Sequence, residues 1–354
     1  MTDYAKSATA ARLAVTRANA VCRQVQAALD DVRSITKDDK SPVTVADFAS
    51  QAIVSITLRD ELHSGDGSKL LMVAEETSGF LRDPDHAPHL AATLAAAREI
   101  FPDLTEEQML DAIDLGNYNP LDVGGHSADT PFWALDPIDG TKGFLRGQQY
   151  AVALGLVEDA RPVIGVMGCP NLPVDMSADL SEPDPEGCLY WAIRGDGVYE
   201  TSATDPFAES IRITRLDHAD GEPICVTGSV EKAHSNQGDM GRILEWITSE
   251  KGAEVGEPVR LDSQCKYAVV ARGQADAYLR LPAKKGYVEK IWDHAAGAMI
   301  AAESGAAVTD IFGRELDFGH GAQLEKNKGI VCAPPRLHGL MIAAIQALGI
   351  KEPE

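Results

Sequence analysis

Residues 133–146 restrict the possible folds more than any other stretch of the chain. They read Trp-Ala-Leu-Asp-Pro-Ile-Asp-Gly-Thr-Lys-Gly-Phe-Leu-Arg, so an apolar strand pattern is interrupted at Pro137 and again by the glycine after Asp139. Proline fixes its own φ and favours an extended conformation at Asp136, and glycine allows a sharp turn. We therefore expect two carboxylates and the carbonyl of Ile138 to crowd together at the end of a strand.

This Asp-Pro-x-Asp-Gly motif has two interpretations. Asp-Pro and Asp-Gly pairs are common in ordinary turns, and the motif alone favours that explanation. Hard cations such as Mg²⁺, however, are bound by just such oxygen groups. Asp47, Glu75 and Asp293 also stand at predicted strand ends or helix starts. Singly they could be helix caps or solvated surface, but together they supply enough oxygen ligands for two or three divalent ions, as metal-assisted phosphoryl hydrolysis requires.

The order of predicted elements indicates a layered α/β fold. The first half reads as helices followed by an antiparallel sheet, with an insertion of loops and two short helices at 79–130. After about residue 215, strands and helices alternate. We predict two domains: an α+β domain at 1–215 that carries most of the carboxylates, and an α/β domain at 216–354. The predicted helices are 4–31, 47–63, 88–100, 105–115, 238–251, 265–274, 293–304 and 337–348.

Charge and composition exclude some classes of partner. The chain has 32 basic and 54 acidic residues, a net charge of −22, which argues against binding of a nucleic-acid polymer. A small anionic ligand held by a few local cations remains compatible with this charge. The six cysteines are scattered, which is typical of reduced thiols, and no apolar run is long enough to span a bilayer. We expect a cytoplasmic protein, a monomer, without membrane contact.

Three motifs together resemble a known superfamily. Glu75-Glu76, residues 136–141 and residues 292–297 resemble the lithium-sensitive, Mg²⁺-dependent phosphomonoesterases, which include inositol monophosphatase and fructose-1,6-bisphosphatase. Further stretches are similar to the 3′(2′),5′-bisphosphate nucleotidases, particularly the fungal ones; they are 140–146, 261–267, 276–282 and 290–293. The resemblance covers nearly the whole chain. It implies an αβαβα sandwich of the inositol monophosphatase type.

The resemblance also implies metal-binding and catalytic roles. Two Mg²⁺ ions would have Asp136 as a common ligand, and a third ion would be held more loosely. Asp47 and Thr141 would orient and deprotonate the attacking water, and Glu76 would lie outside the direct ligands. The implied metal ligands are Glu75, Asp136, the Ile138 carbonyl, Asp139 and Asp293.

The implied substrate contacts come mainly from the second half. Ser263 and Lys266 are three residues apart at a predicted helix start, where an anion is favoured. Tyr278 and Arg280 share one face of a predicted strand, so Arg280 can reach a cleft. Without the resemblance, surface solvation would be the preferred explanation for both cations. The full predicted set is Thr141, His234, Ser263, Lys266, Arg280 and Asp293, with Lys142 and Arg146 as weaker candidates.

The implied activity is removal of the 3′-phosphate from adenosine 3′,5′-bisphosphate, giving AMP, by direct attack of water. The sulfated analogue 3′-phosphoadenylyl sulfate is a second expected substrate. An alternative is an inositol phosphate phosphatase, acting on inositol monophosphates or as an inositol polyphosphate 1-phosphatase, with the same metal core. Another is a catalytically silent, metal-dependent sensor.

Overall fold

The computed structural model describes most of the chain as a sandwich of five layers. Helices cover a seven-stranded sheet, two further helices separate it from a five-stranded sheet, and a last pair of helices covers that sheet. The predicted αβαβα arrangement is confirmed. Among the described residues, no helix has the length and apolar content needed to cross a membrane. The described residues are 3–32, 41–63, 69–122, 130–215, 217–219, 221–230 and 236–352.

The first layer consists of two long helices, α1 (Tyr4–Val32) and α2 (Ser41–Leu62), that pack against each other. Helix α2 begins at Ser41, six residues earlier than the predicted start at residue 47. Pro42 is compatible with this earlier start, because proline is tolerated in the first turn of a helix, where a backbone N–H has no partner within the helix. Asp47 is therefore inside the helix and cannot be its N-cap.

The second layer is a sheet whose seven strands follow one another in chain order. All neighbours are antiparallel except the first two strands, which are parallel. The predicted antiparallel sheet is confirmed for all strands after the first. The strands are β1 (Met72–Ala74), β2 (Phe132–Asp139), β3 (Ala151–Glu158), β4 (Arg161–Cys169), β5 (Cys188–Ile193), β6 (Gly197–Ser202) and β7 (Ile211–Ile213).

The segment that connects β1 to β2 is mainly helical over residues 79–114, and we call this helical part the excursion. Its base is closed by Ser78, whose backbone N–H and hydroxyl donate to the two carboxylate oxygens of Asp114 at 3.0 and 2.6 Å. The later helices of the excursion cover the outer face of α2, contacting Phe48, Ala52 and Ile56. The excursion contains α3 (Gly79–Arg82), a 3₁₀ turn (Pro84–His86), α4 (Ala87–Arg98) and α5 (Glu106–Asp114); after β2 comes the short helix α6 (Thr141–Arg146).

The remaining layers come from the second half of the chain. Helices α7 (Gln237–Lys251) and α10 (Pro335–Ala347) cover the outer face of the second sheet. Helices α8 (Cys265–Ala271) and α9 (Ala295–Ser304) lie between the two sheets. The strands, in spatial order, are β11 (Ala307–Thr309), β12 (Ile330–Ala333), β10 (Ala277–Arg280), β8 (Val226–Gly228) and β9 (Val259–Arg260).

Helix α9 packs unusually close to the first sheet. A Cβ atom at Gly155 would lie 2.8 Å from the Cβ of Ala295, and one at Gly165 would lie 2.8 Å from the carbonyl oxygen of Ala296. Side chains at either position would push the helix away. Because Asp293 precedes α9 by two residues, this packing fixes where Asp293 lies relative to the first sheet.

Candidate active site

The parallel pairing of β1 with β2 brings Glu75 beside Asp136. Ala74 is paired with Leu135, so the two acidic residues are the next residues on adjacent strands. Parallel strands end at the same edge of a sheet, and a one-residue slip would turn every side chain to the other face. The register therefore places the carboxylates of Glu75 and Asp136 side by side at the same edge of the sheet.

The end of β2 is irregular where the carboxylates stand. The strand continues through Pro137 to Asp139, and the pairing with β3 shifts register between Asp136 and Asp139, which is the mark of a bulge. The prediction that the strand would break at Pro137 was wrong, because a bulge tolerates proline. Gly140 follows with φ +89°, and a Cβ there would lie 2.8 Å from the Cβ of Ser263. Only glycine fits this approach.

These elements surround a cleft of about 380 Å³. It lies where the ends of β1 and β2 meet α6, the segment before α8, and strand β10. Asp47 does not line the cleft, and His234 lies outside the described residues. The cleft brings together these predicted residues: Glu75, Asp136, Ile138, Asp139, Thr141, Ser263, Lys266, Arg280 and Asp293.

Asp47 is buried in the second turn of α2, close to the carboxylates of the cleft. Burial raises its pKa well above the usual range, and the charges of Glu76 and Glu75 raise it further. Asp47 also contributes to raising the pKa of Asp136. The predicted water-activating carboxylate is thus near the cluster, although not on the cleft wall.

Two residues of α2 that the sequence analysis did not single out hold this arrangement. The hydroxyl of Ser50 donates to the carbonyl of Pro137 at 2.9 Å. The side-chain amide of Gln51 donates to the carbonyl of Glu76 at 2.7 Å and accepts from its N–H at 3.1 Å. Both side chains are fully buried. The sequence does contain a signal for these two residues, because they are adjacent polar residues in a turn of the helix that is otherwise apolar.

The carboxylates of the cleft are close enough to raise one another's pKa. Asp136 is buried, and among the described residues no hydrogen-bond partner is close to its Oδ1 atom. Burial, then the charges of Glu75, Asp139 and Asp293, raises its pKa well above the usual range. Desolvation and the charges of Asp293, Glu76 and Asp139 raise the pKa of Glu75 to about 8, although its side chain keeps contact with solvent. Burial raises the pKa of Asp293 to about 6, against the lowering effect of Arg280. A hard cation would satisfy these oxygens, so the residues fit a divalent metal site.

We expect the metal-free protein to lose stability as the pH rises from about 5 to about 8. The folded protein retains a proton on Glu75, whose pKa is about 8, while the unfolded chain releases it near the ordinary value of 4.5. The unfolded state then binds fewer protons in this window, so unfolding becomes easier with rising pH. The measurement is the thermal midpoint in EDTA across this range. MgCl₂ should raise the midpoint more at pH 8 than at pH 5.

The control is Glu75→Gln, which keeps the shape of the side chain and removes the titrating group. Its midpoint in EDTA should decline less between pH 5 and pH 8. A decline as steep as that of the unmodified chain would show that other groups cause the effect.

Lys266 is a buried cation on the cleft wall, and so it is not a solvated surface lysine. Its ammonium group donates to the carbonyls of Ser263 and Leu261 and lies 5.4 Å from the centre of the Tyr278 ring. Burial lowers its pKa, although Asp139 opposes that shift. Lysines are seldom buried to this extent, and among the described residues no carboxylate is close enough to form an ion pair with Lys266, which favours a role in binding an anion.

Arg280 shares a strand face with Tyr278, as predicted, and reaches the cleft. One nitrogen of its guanidinium group lies 2.6 Å from Glu289 and 3.5 Å from Asp293. The same nitrogen donates to the hydroxyl of Tyr287 at 3.2 Å. Arg280 is thus tied to a predicted metal ligand as well as facing the cleft.

Glu289, Asp293 and His294 have potential ligand atoms within 4.8 Å of one another. The guanidinium group of Arg280 already supplies a positive charge to the two carboxylates of this group. We therefore assign the group to the surroundings of Asp293, not to a separate metal site.

The two weaker candidates differ in their relation to the cleft. Lys142 lines the cleft, whereas Arg146 forms an ion pair with Asp262, which is itself a cleft residue. Sequence reasoning did not identify Asp262, Gln264 or Ser229 as part of the cleft. Their residue types carry no chemical signature by themselves, so only the fold could place them.

Comparisons with known proteins agree with the fold and the motifs. Curated relatives named 3′(2′),5′-bisphosphate nucleotidase include one from Schizosaccharomyces pombe, 38% identical over 90% of this chain and 88% of the relative. One from Emericella nidulans is 42% identical over 88% of this chain and 90% of the relative. One from Arabidopsis thaliana, named 3′(2′),5′-bisphosphate nucleotidase 1, is 41% identical over 97% of this chain and 96% of the relative.

Solved structures with the same fold include an inositol monophosphatase from Anabaena, with a TM-score of 0.58 and 18% identity over 99% of this chain and 98% of the other. CysQ from Bacteroides thetaiotaomicron has a TM-score of 0.55 and 21% identity over 92% and 96% of the two chains. The sequence model of the inositol monophosphatase family matches residues 4–349. The chain therefore belongs to the inositol monophosphatase family.

Proposed function

We propose that this protein is a Mg²⁺-dependent phosphatase that removes the 3′-phosphate of adenosine 3′,5′-bisphosphate, giving AMP and phosphate. The observation that carries the proposal is a single cleft that combines the four carboxylates proposed as metal ligands with two buried or half-buried cations, Lys266 and Arg280. The relatives named 3′(2′),5′-bisphosphate nucleotidase support this substrate over an inositol phosphate. We include 3′-phosphoadenylyl sulfate as a second substrate.

The proposed metal site takes two Mg²⁺ ions, with a third held more loosely. Glu75, Asp136 and the carbonyl of Ile138 would hold one ion, and Asp136 with Asp139 and Asp293 the other. When bound, the ions would polarise the phosphate and lower the pKa of water. Among the described residues, Oδ1 of Asp136 has no hydrogen-bond partner, which supports a role as a metal ligand.

Asp47 and Thr141 would prepare the water for attack. The raised pKa of Asp47 brings this carboxylate closer to the range in which a general base accepts a proton at neutral pH. The hydroxyl of Thr141 donates to the carbonyl of Ile138 at 3.5 Å, so it is oriented by the same turn that carries the metal ligands.

The cations that line the cleft would bind the substrate. We propose that Ser263, Lys266 and Arg280 contact phosphate groups of the nucleotide, together with Thr141, Asp293 and His234. Charged hydrogen bonds to phosphate are stronger than neutral ones.

The cleft residues come from both sides of residue 215, in support of two domains, 1–215 and 216–354, with the active site between them. We also propose that the protein is a monomer and that it is cytoplasmic.

The test is a phosphate-release assay with a panel of substrates. Adenosine 3′,5′-bisphosphate, 3′-phosphoadenylyl sulfate, inositol 1-phosphate and inositol 1,4-bisphosphate are each supplied with MgCl₂ or with EDTA. We expect the first two to be hydrolysed in Mg²⁺ alone, and chromatography of the first reaction to give AMP. Preference for an inositol phosphate would favour the competing enzyme, and no hydrolysis of any substrate would favour a silent sensor.

A further inference from the structure

Gln264 contacts the surroundings of two proposed metal ligands that lie far apart in the sequence. We infer that Gln264 is a positioning residue that sets the spacing between Asp139 and Asp293, and thereby the affinity of the site for Mg²⁺. The inference rests on the proposed metal roles of those two carboxylates. Gln264 is buried, with 2% of its surface exposed, and lies just before α8.

The backbone of Gln264 holds Asp139. Its N–H donates to Oδ2 of Asp139 at 2.6 Å. Ser263 before it has φ +64°, a left-handed conformation that is uncommon for a residue with a side chain, and Gln264 returns to a right-handed conformation at φ −67°, ψ −7°. Left-handed and right-handed residues in succession turn their N–H groups to one side, an arrangement that binds anions. The unusual backbone at Ser263 thus serves the carboxylate of Asp139.

The side chain of Gln264 holds the segment around Asp293. Its amide nitrogen donates to the carbonyl of Trp292 at 2.9 Å, and its amide oxygen accepts from the N–H of Gly297 at 3.0 Å. Trp292 immediately precedes Asp293. Gly297 lies in the first turn of α9, where backbone N–H groups have no partner within the helix. The amide therefore spans the loop that carries Asp293.

One residue thus bonds to Asp139 through its backbone and to both flanks of Asp293 through its side chain. An apolar replacement would leave the carbonyl of Trp292 and the N–H of Gly297 buried without partners. The loop would relax to satisfy them, and Asp293 would move relative to Asp139. Residues that orient metal ligands typically change metal affinity by ten- to a hundredfold when they are replaced.

The experiment is calorimetric titration of MgCl₂ into the full-length, metal-free protein without substrate. Gln264→Met keeps the length of the side chain and removes both hydrogen bonds. Gln264→Asn keeps the amide but is one methylene too short to span the loop, and it provides the measurement if the first variant does not fold. The matched control is Asn327→Leu: the buried amide of Asn327 makes the same pair of bonds, to the carbonyl of Glu315 at 2.9 Å and from the N–H of Asp317 at 2.8 Å, but does not line the cleft.

We expect the Mg²⁺ dissociation constant to rise about tenfold or more in the Gln264 variants and to change less than about twofold in Asn327→Leu. Thermal midpoints in EDTA check that the variants are folded. Unchanged Mg²⁺ affinity in either folded Gln264 variant, or an equal loss in Asn327→Leu, would overturn the inference. Because no substrate is present, an unmodified protein that binds Mg²⁺ but hydrolyses no nucleotide refutes the proposed function and not the role of Gln264.

Discussion

Asp136→Asn is expected to abolish phosphate release, by more than about a hundredfold, while the protein stays folded. Asp136 is the proposed ligand of both ions, and the amide of asparagine carries neither the charge nor the second oxygen. The fold should survive, because the raised pKa of the buried carboxyl favours its neutral form in the metal-free protein. Asparagine has nearly the same shape as that neutral form. The measurements are phosphate release from adenosine 3′,5′-bisphosphate in MgCl₂ and the thermal midpoint in EDTA.

The control for Asp136→Asn is a buried carboxylate outside the cleft. Asp310 is fully buried and paired with Arg314 at 2.6 Å. Asp310→Asn should lower the thermal midpoint, because it breaks a paired charge, yet leave kcat/KM within a few-fold of the unmodified enzyme. Near-normal turnover in a folded Asp136→Asn protein would refute the assignment of two ions sharing Asp136.

Lys266→Met and Arg280→Met are each expected to lower kcat/KM for adenosine 3′,5′-bisphosphate by roughly ten- to a hundredfold. A charged hydrogen bond to phosphate contributes about 1.5–3 kcal/mol, which corresponds to that range. Methionine replaces most of the aliphatic stem of each side chain, so the change removes mainly the charge. Part of the loss can appear in kcat, because binding energy remote from the reacting group also orients it.

A small generic phosphomonoester separates the two roles. Lys266 bonds to backbone carbonyls, so Lys266→Met should change hydrolysis of the generic substrate little. Arg280 lies 3.5 Å from Asp293, and Arg280→Met should therefore also impair the generic substrate. The expected difference between the variants is a consequence of the structure, since sequence reasoning treated the two cations alike.

Arg215→Met is the control for the loss of a buried, paired arginine. Arg215 pairs with Asp276 at 2.7 Å and does not line the cleft. It should affect stability without changing the ratio of the two substrates. If neither Lys266→Met nor Arg280→Met lowered kcat/KM for the nucleotide, the proposal that these cations bind it would fail.

Much of the fold was predictable because its signals are local. The apolar runs of β3 and β4 and the helical spacing of α1 each lie within one continuous segment, and all three elements are present in the structure. The resemblance supplied the residues that meet in the cleft. Local pattern alone could not bring Glu75 to Asp136, because their contact depends on parallel pairing across the whole excursion between β1 and β2.

What escaped prediction depends on contacts between distant segments. Gln264 has an ordinary polar side chain, and its importance comes from partners about 30 and 125 residues away. Glu289 was overlooked for the same reason, since only the fold reveals its pairing with Arg280. The left-handed backbone at Ser263 is equally invisible in sequence, because serine has no preference for that conformation.

The closed base of the excursion after β1 has a consequence for how the chain can tolerate change. Ser78 and Asp114 bring the two ends of the segment 79–113 together, so its length can vary without altering the register that sets Glu75 beside Asp136. Loop closure adds only about 0.6 kcal/mol for each doubling of length. If the segment were shortened, Phe48, Ala52 and Ile56 on α2 would become exposed to solvent and would need polar replacements. Insertions and deletions can therefore accumulate in this segment while the geometry of the carboxylates stays the same.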